Sequence, residues 1–250
     1  MIHVAAYSGG KDSTALLCWL HDQRIEFTAV FCDTGWEHSL TYAYIEEINQ
    51  LLCGGRLVRL QSGKYAGMVD LVARKGRVPS FKARFCTEQL KVLPMIEYLR
   101  SLPDDVTVYQ GIGAEESPAR AKLSDREWSD AFDCWVVRPL FRWAAAEVFA
   151  CLAAHGIEPN PLYRAGAGHV GCFPCVLVNH GELRRLDRTM PEIWDRVRAL
   201  EVAAGRSFFP PNMIPARFRT GFDPKSGVRF PTVEDVQRYV RGLSEFDDPG

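Results

Sequence analysis

Three features of this 250-residue chain predict an α/β fold: a Rossmann-like, open, parallel five-stranded sheet with helices on both faces. Short apolar runs of strand type alternate with helical periodicity through the first sixty residues. A glycine turn leads from the first strand straight into the first helix. Polar and charged side chains then gather at the carboxyl ends of the strands, where ligands bind in such sheets.

The run Ile2-His3-Val4-Ala5-Ala6-Tyr7 reads as the first strand, and residues 12–23 as the helix after it. A second strand is expected at 27–32, a helix at 38–52 and a third strand at 57–60. That order calls for parallel pairing through right-handed crossovers. Two more strands are expected at 106–111 and 135–137, with helices at 87–101 and 143–155. Past residue 160 the style changes. Residues 160–163 read as a turn and 166–175 as a glycine- and cysteine-rich loop; a helix is expected over 181–204. Five prolines between 210 and 231 mark an irregular stretch, followed by a short helix at 233–243. The expected organisation is therefore an α/β domain over 1–160 with a helical and irregular extension, 161–250, packed on it.

Composition narrows the function classes. At 47% hydrophobic and 24% charged residues the chain can bury a core. Thirty basic against thirty-one acidic residues leave a net charge of −1, so no long-range field draws it to nucleic acid or anionic membrane. No apolar stretch approaches the roughly 20 residues that span a bilayer. The opening residues lack a basic leader, and a cytoplasmic location is expected. Eight cysteines in such a compartment point to metal binding or catalysis rather than disulfides. Cys18 and Cys151 fall on apolar helical stretches and read as small hydrophobes. Cys172-Phe173-Pro174-Cys175 has spacing with meaning of its own, serving zinc, iron–sulfur clusters or thiol redox chemistry alike.

The first strand–helix turn, Ser8-Gly9-Gly10-Lys11-Asp12-Ser13, is built to hold phosphate. Glycines let backbone amides face an anion, the helix start adds partial positive charge, and Lys11 adds a full one. A Walker loop would need glycine at position 5 and Ser or Thr after the lysine, where Ala5 and Asp12 stand. A hydrolase nucleophile elbow would need glycine in place of Ala6. The later Gly166-Ala167-Gly168-His169-Val170-Gly171 satisfies GxGxxG, but no strand precedes it and Pro174 follows where a helix should begin.

Ser8–Ser13 resembles the SGGKDS signature of the PP-loop ATP pyrophosphatase superfamily, and several further motifs resemble the phosphoadenosine phosphosulfate reductase family within it. Asp33-Thr34-Gly35-Trp36-Glu37 is similar to that family's second-strand motif, and Arg84-Phe85-Cys86-Thr87 with Leu90, Lys91 and Pro94 to its central one. Residues 111–120 resemble its GIRAEES segment, and Arg138-Pro139-Leu140 its fifth-strand end. The resemblance covers residues 2 to about 176. It implies an enzyme that binds ATP or an adenylyl sulfate-type nucleotide with Mg2+. Nucleotide contacts are implied for Ser8, Gly9, Gly10, Lys11, Asp12, Ser13, Asp33, Thr34, Glu37 and Gly111. Catalytic roles are implied for Lys11, Asp12, Lys91, Glu115 and Arg138, with the cations stabilising charge on an attacked phosphate. Asp33 and Glu37 suit magnesium or a ribose hydroxyl, Glu115 and Glu116 magnesium or a general base, or each simply caps a helix. One departure is Gly113, where many relatives carry arginine; Arg120, Lys122 and Arg138 are the cations placed to compensate.

Relatives with a cluster use the central motif and a downstream CxxC, which implies Cys86, Cys172 and Cys175 as ligands to a [4Fe–4S] cluster, with Cys134 as the fourth or one iron left open. Zinc, with His169 or His180, is the alternative. Two reactions follow from the resemblance: adenylation with sulfur transfer, or reduction of adenylyl sulfate or its 3′-phosphorylated form. Sulfonucleotide reductases attack sulfur with a C-terminal cysteine, whereas Cys175 is the last cysteine here. Reduction would then need an upstream cysteine or an external thiol protein, and sulfur transfer a sulfur donor. A non-catalytic nucleotide-binding or cluster-sensing subunit is the third possibility. In the extension, Arg184, Arg185, Arg188, Arg196, Arg198, Arg206, Arg217, Arg219, Lys225 and Arg229 interleave with Phe208, Phe209, Phe218 and Phe222. This suits either a nucleic-acid strand or a solvated face with aromatics packed on the core.

Overall fold

Strand β1 (Ile2–Tyr7) sends alternate residues to opposite sides of the sheet, Val4 to one core cluster and Ala5 and Tyr7 to another. The structure is a computed structural model describing residues 1–244 apart from Ala119 and Lys225. After β1 come α1 (Lys11–Asp22), β2 (Thr28–Cys32), α2 (Ser39–Cys53), β3 (Val58–Leu60) and α3 (Met68–Lys75). α3 was not expected from the sequence, although Met68, Leu71 and Val72 give it an apolar face at helical spacing. The helix expected at 87–101 is a run of α4 (Phe85–Thr87), a π-helical turn (Glu88–Val92) and α5 (Leu93–Arg100). β4 (Val106–Gln110), β5 (Arg126–Ser129), β6 (Cys134–Val137) and α6 (Ala145–Ala154) complete the sheet region.

β1 pairs parallel with β2 and β4, β2 with β3, and β4 with β6. These are the five parallel strands expected. A sixth, β5, pairs antiparallel with β6 and closes one edge, giving the order β3-β2-β1-β4-β6-β5. Its four residues, Arg126-Glu127-Trp128-Ser129, carry no apolar run, because an edge strand buries little. Leu16, Leu17 and Leu20 of α1, Ile45 and Ile48 of α2, and Val148 and Leu152 of α6 cover one face. Met95 and Leu99 of α5 cover the other.

The single helix expected at 181–204 is two, α8 (His180–Thr189) and α9 (Ile193–Ala204), after the short α7 (Pro161–Arg164). Pro191 lacks an amide hydrogen and pushes Met190 out of helical geometry, to φ −148 and ψ 62. A small hairpin, β7 (Gly221–Asp223) and β8 (Val228–Phe230), precedes α10 (Val233–Ser244). Leu183, Trp194, Val197 and Val236 from these elements share one buried cluster with Trp36, Leu71, Val72 and Phe85.

The chain leaves β1 toward β2 on one side and returns as β4 on the other, so a crevice opens between their carboxyl ends. There Gly111, just past β4, lies against the start of α1. A Cβ at Gly111 would sit 2.4 Å from the Asp12 carbonyl oxygen and 2.7 Å from the Ser13 Cα. Both neighbours are backbone and cannot rotate away. Gly111→Ala is therefore expected to lower stability by about 1–3 kcal/mol or more in urea unfolding. Gly168→Ala, which meets nothing within 4 Å, should change it little; equal effects would contradict this reading.

Candidate active site

The glycine turn adopts a conformation that only its composition permits. Gly9 has φ +76, and a Cβ there would press within 3.0 Å of both Ile45 and Thr41. Gly10 is the N-cap of α1, and no side chain caps that end. Amides in the first turn of a helix have no intrahelical acceptor, so they face outward toward an anion. The Lys11 amide donates to the Tyr163 hydroxyl at 3.1 Å, and Asn160 Nδ2 donates to the Gly9 carbonyl at 3.0 Å. Both clamps come from the Asn160-Pro161 turn. Ser8 and Ser13 hydroxyls lie 3.2 Å apart, and Lys11 Nζ pairs with Asp12 at 2.7 Å.

Beyond β2 a second group is tied together. The buried Glu37 carboxylate accepts from Thr34 Oγ1 at 2.8 Å and from the Tyr42 hydroxyl at 3.0 Å, and Tyr42 also reaches Asp33 at 2.7 Å. Asp33 accepts from the Gly35 amide at 2.9 Å, and Arg59 stands 3.8 Å away. Burial, with Glu37 and Asp33 beside it, pushes the Tyr42 phenol far up, so it stays a donor. Asp33 and Thr34, expected to touch the nucleotide, thus spend bonds holding Glu37 and the turn, and neither lines the cavity described below.

The CxxC loop docks on this group. The Phe173 amide donates to the Trp36 carbonyl at 2.7 Å, and Trp36 Nε1 to the Pro174 carbonyl at 2.9 Å. Glu37 and Cys172 form an isolated antiparallel bridge, and the Cys172 thiol stands 4.0 Å from Glu37 Oε1. Burial pushes the Cys172 thiol up, opposed by Lys91 and reinforced by Glu37, Cys175 and Cys86. Cys86 is raised by burial first, with Cys175 adding to it. The Cys172 charge holds the Lys91 ammonium above its usual range against desolvation, with Glu37, Cys32 and Cys175 contributing. Burial thus favours the protonated form of the Cys172 and Cys86 thiols, while the anionic groups around Lys91 outweigh its own desolvation. Lys91 sits in the π-helical turn, an irregularity that often marks function.

A cavity of about 260 Å³ joins the two groups. Ser8, Gly10, Asp12 and Ser13 line one part, and Glu37, Lys91, His169 and Gly171 another. Val30, Met95, Val108 and Phe132 form an apolar wall, while Arg120 and Glu116 close the rim in an ion pair. A larger open cleft of about 830 Å³ at the amino ends of the strands, near His3, His21 and Arg56, shares none of these groups.

Several residues singled out from the sequence stand elsewhere. Arg138 is buried and aims back into the fold, donating to the Ser124 carbonyl at 2.7 Å, Glu127 at 2.8 Å and Gln110 at 3.1 Å. Glu115 is exposed and off the cavity, and Glu116 takes its place on the lining. Cys134 opens β6 at the amino end of that strand, buried with Val4, Val30 and Met95, and is not brought to the other three cysteines. His180 bonds the Met213 carbonyl. Among the extension's arginines, Arg185 pairs with Glu182, Arg198 with Asp195 and Glu234, and Arg206 with Asp223. Arg196 lies 4.1 Å over the Trp36 ring and donates to the Glu37 carbonyl. Phe208 and Phe209 are core residues, and Lys225 lies outside the described residues.

Residues 2–178 match the phosphoadenosine phosphosulfate reductase domain. The chain belongs to that family. An uncharacterized 37.8 kDa protein of Escherichia phage 186 is 33% identical across 99% of this chain and 87% of that protein. The adenosine 5′-phosphosulfate reductase of Allochromatium vinosum is 29% identical across 83% of this chain and 80% of its own. The crystal structure of phosphoadenylyl-sulfate reductase from Candida auris, a phosphate complex, is similar in fold, with a TM-score of 0.57 and 16% identity over 70% of this chain and 83% of that one. The family match stops just past the Cys172–Cys175 pair, so α8, α9 and α10 lie beyond it.

Four contributors escaped the sequence reading of this family member. Asn160 and Tyr163 act through contacts about 150 residues away in sequence, and Tyr42 reaches back from the first turn of α2 to Glu37 and Asp33. Cys32, raised by burial to about 11, ends β2 and lines the cavity, a position the strand boundary alone marked. His38 is a further case: its Nδ1 accepts from the Leu40 amide at 3.0 Å, capping α2, and its ring meets Phe173 edge-on at 4.5 Å. Burial holds His38 below its usual value of about 6.5. The unfolded chain therefore takes up this proton first. Stability is unaffected above about pH 6.5 and falls as pH drops through the lowered value in the fold. His38→Asn keeps an N-cap acceptor, so it should narrow the gap between urea midpoints at about pH 7 and about pH 5. An unchanged gap would contradict the assignment.

Proposed function

We propose that the chain is an enzyme acting on an adenine nucleotide, forming an adenylate from ATP. Sulfur from a sulfide-level donor then bonds to the activated acceptor, and AMP leaves with the bonding electrons. The observation that carries this reading is the single cavity shared by the uncapped start of α1 and by Lys91 beside the CxxC loop. The base fits the apolar wall of Val30, Met95, Val108 and Phe132. The phosphates then fall on the amides of the Ser8–Ser13 turn, with Lys11 alongside. An acceptor oxygen attacks the α-phosphorus, and pyrophosphate leaves with the bonding electrons. Charge that builds on the phosphate oxygens meets fixed amides and ammonium groups, which cost no rearrangement at that moment.

Asp12 fits Mg2+, which takes one or two carboxylates together with phosphate oxygens and keeps several waters. Cys86, Cys172 and Cys175 fit a [4Fe–4S] cluster better than a single zinc ion. Zinc gathers its thiolates about 2.3 Å from one centre. Among the described residues these three sulfurs do not form a group within 4.8 Å of one another, whereas in a cluster each thiolate binds a different iron. Bound there, such a cluster would supply sulfur or redox chemistry beside Lys91 and Glu37. Reduction of a sulfonucleotide with an external thiol donor is the second reading, favoured by the similarity to the Allochromatium vinosum protein. The paired arginines of the extension give nucleic acid no clear claim, so the acceptor is not assigned to that class.

Lys11→Ala is expected to weaken ATP binding at least about tenfold by calorimetry, the scale of one or two charge-assisted contacts. Anaerobic protein with ATP should release pyrophosphate once the acceptor is supplied. Sulfite from adenylyl sulfate without pyrophosphate would select the second reading, and unchanged ATP affinity in Lys11→Ala would remove both.

A further inference from the structure

Helices α1 and α6 pack together on one face of the sheet, and their seam collects metal-binding side chains that the nucleotide cavity does not use. Cys18 and Asp22 stand one turn apart on α1. Cys151 on α6 and His155, the C-cap of that helix, stand one turn apart on the other side. The ligand atoms of Cys18, Cys151 and His155 all lie within 4.8 Å of one another. His155 Nε2 is 3.0 Å from Asp22 Oδ1, which places a fourth donor beside the histidine at the edge of that 4.8 Å group.

The two cysteines alone would be ordinary small hydrophobes at a helix crossing, as their sequence context suggests. The histidine changes that. Its Nδ1 lies 2.8 Å from the Cys151 carbonyl, a backbone partner that fixes the ring and leaves Nε2 as the ligating nitrogen. A backbone or carboxylate bond of this kind on the remote nitrogen is the usual support of a metal-bound imidazole. Pairs four residues apart on each of two facing helices also place all four donors on one side of each helix. Asp22 is half-exposed and Cys18 fully buried, so the seam opens to solvent at its carboxylate end.

We propose that Cys18, Cys151, His155 and Asp22 form a four-ligand site for a thiolate-binding divalent transition ion of the zinc class. Two thiolates, one imidazole and one carboxylate make a closed tetrahedral set, with no position left for substrate, so the role is structural. Zinc–sulfur and zinc–nitrogen bonds of about 2.3 and 2.0 Å require Cys18, Cys151 and His155 to close in from the present spacing and the exposed Asp22 carboxylate to turn toward them. On binding, each cysteine gives its proton to solvent, as does any proton Nε2 shares with Asp22, and no redox change accompanies this. The ion would pin α6 to α1, the helix whose first turn forms the phosphate-type cradle. The assignment does not depend on the proposed reaction.

Anaerobic, reduced full-length protein titrated with Co2+ alone tests it, because thiolate-bound cobalt absorbs in the near ultraviolet and tetrahedral cobalt in the visible. One such cobalt per chain is expected to persist in Cys172→Ser/Cys175→Ser. It should disappear in Cys151→Ala and bind at least about tenfold more weakly in His155→Gln. The histidine lies at a helix end, so its variant stays informative if Cys151→Ala does not fold. Thiolate absorption that vanishes with Cys172 and Cys175 and survives loss of Cys151 and His155 would overturn the proposal. So would a Cys18–Cys151 disulfide, without bound zinc, in protein purified with zinc present.

Discussion

Backbone lies directly on backbone where β4 ends and α1 begins, and the geometry of the site depends on that contact. Gly111 can approach the Asp12 carbonyl only because it has no Cβ. With that spacing, β1 and β4 sit side by side at the reversal of strand order, and the first turn of α1 faces the crevice between them. Asn160 and Tyr163 then clamp the turn from a segment some 150 residues away, at the Gly9 carbonyl and the Lys11 amide. The uncapped first turn of α1 is thus held by covalent geometry and by three short contacts, without help from a capping side chain.

Electrostatics give the opposite wall a different character. Lys91 and the thiols of Cys32 and Cys172 are desolvated together beside Glu37, so the charge on Lys91 bears on both thiols and theirs on Lys91. Burial opposes the Cys32 and Cys172 thiolates, while Lys91 favours them. Desolvating the Cys172 thiolate costs more than the Lys91 ammonium returns, which is the electrostatic ground for the metal centre proposed at Cys86, Cys172 and Cys175. The Trp36–Phe173 and Trp36–Pro174 hydrogen bonds fix the CxxC loop to the exit of β2, which brings the thiols to the end of the sheet that carries the cradle.

Much of this was legible in the sequence because it is local. Strand–glycine–helix order gave the parallel sheet and its cradle, and CxxC spacing gave the thiol pair. What escaped depends on which way a residue points in three dimensions. Cys134 opens β6 and Arg138 directly follows that strand, yet Arg138 turns into a buried network with Ser124, Glu127 and Gln110 while Cys134 faces α5. Cys18 and Cys151 read as small hydrophobes, and their approach to each other and to His155 was not visible because helical periodicity says nothing about which helix will face which. Pro191 and the Met68, Leu71 and Val72 stripe were readable but outweighed by longer patterns around them. Short edge elements such as β5 and the β7–β8 hairpin bury too little to leave an apolar signature.

The most direct measurement is a crystal structure of the protein with a non-hydrolysable ATP analogue and Mg2+. The account requires the phosphates to lie on the amides of the Ser8–Ser13 turn within hydrogen-bonding distance, with the base against Val30, Met95 and Val108. A nucleotide bound elsewhere, or that turn left without phosphate at saturating analogue, would contradict it.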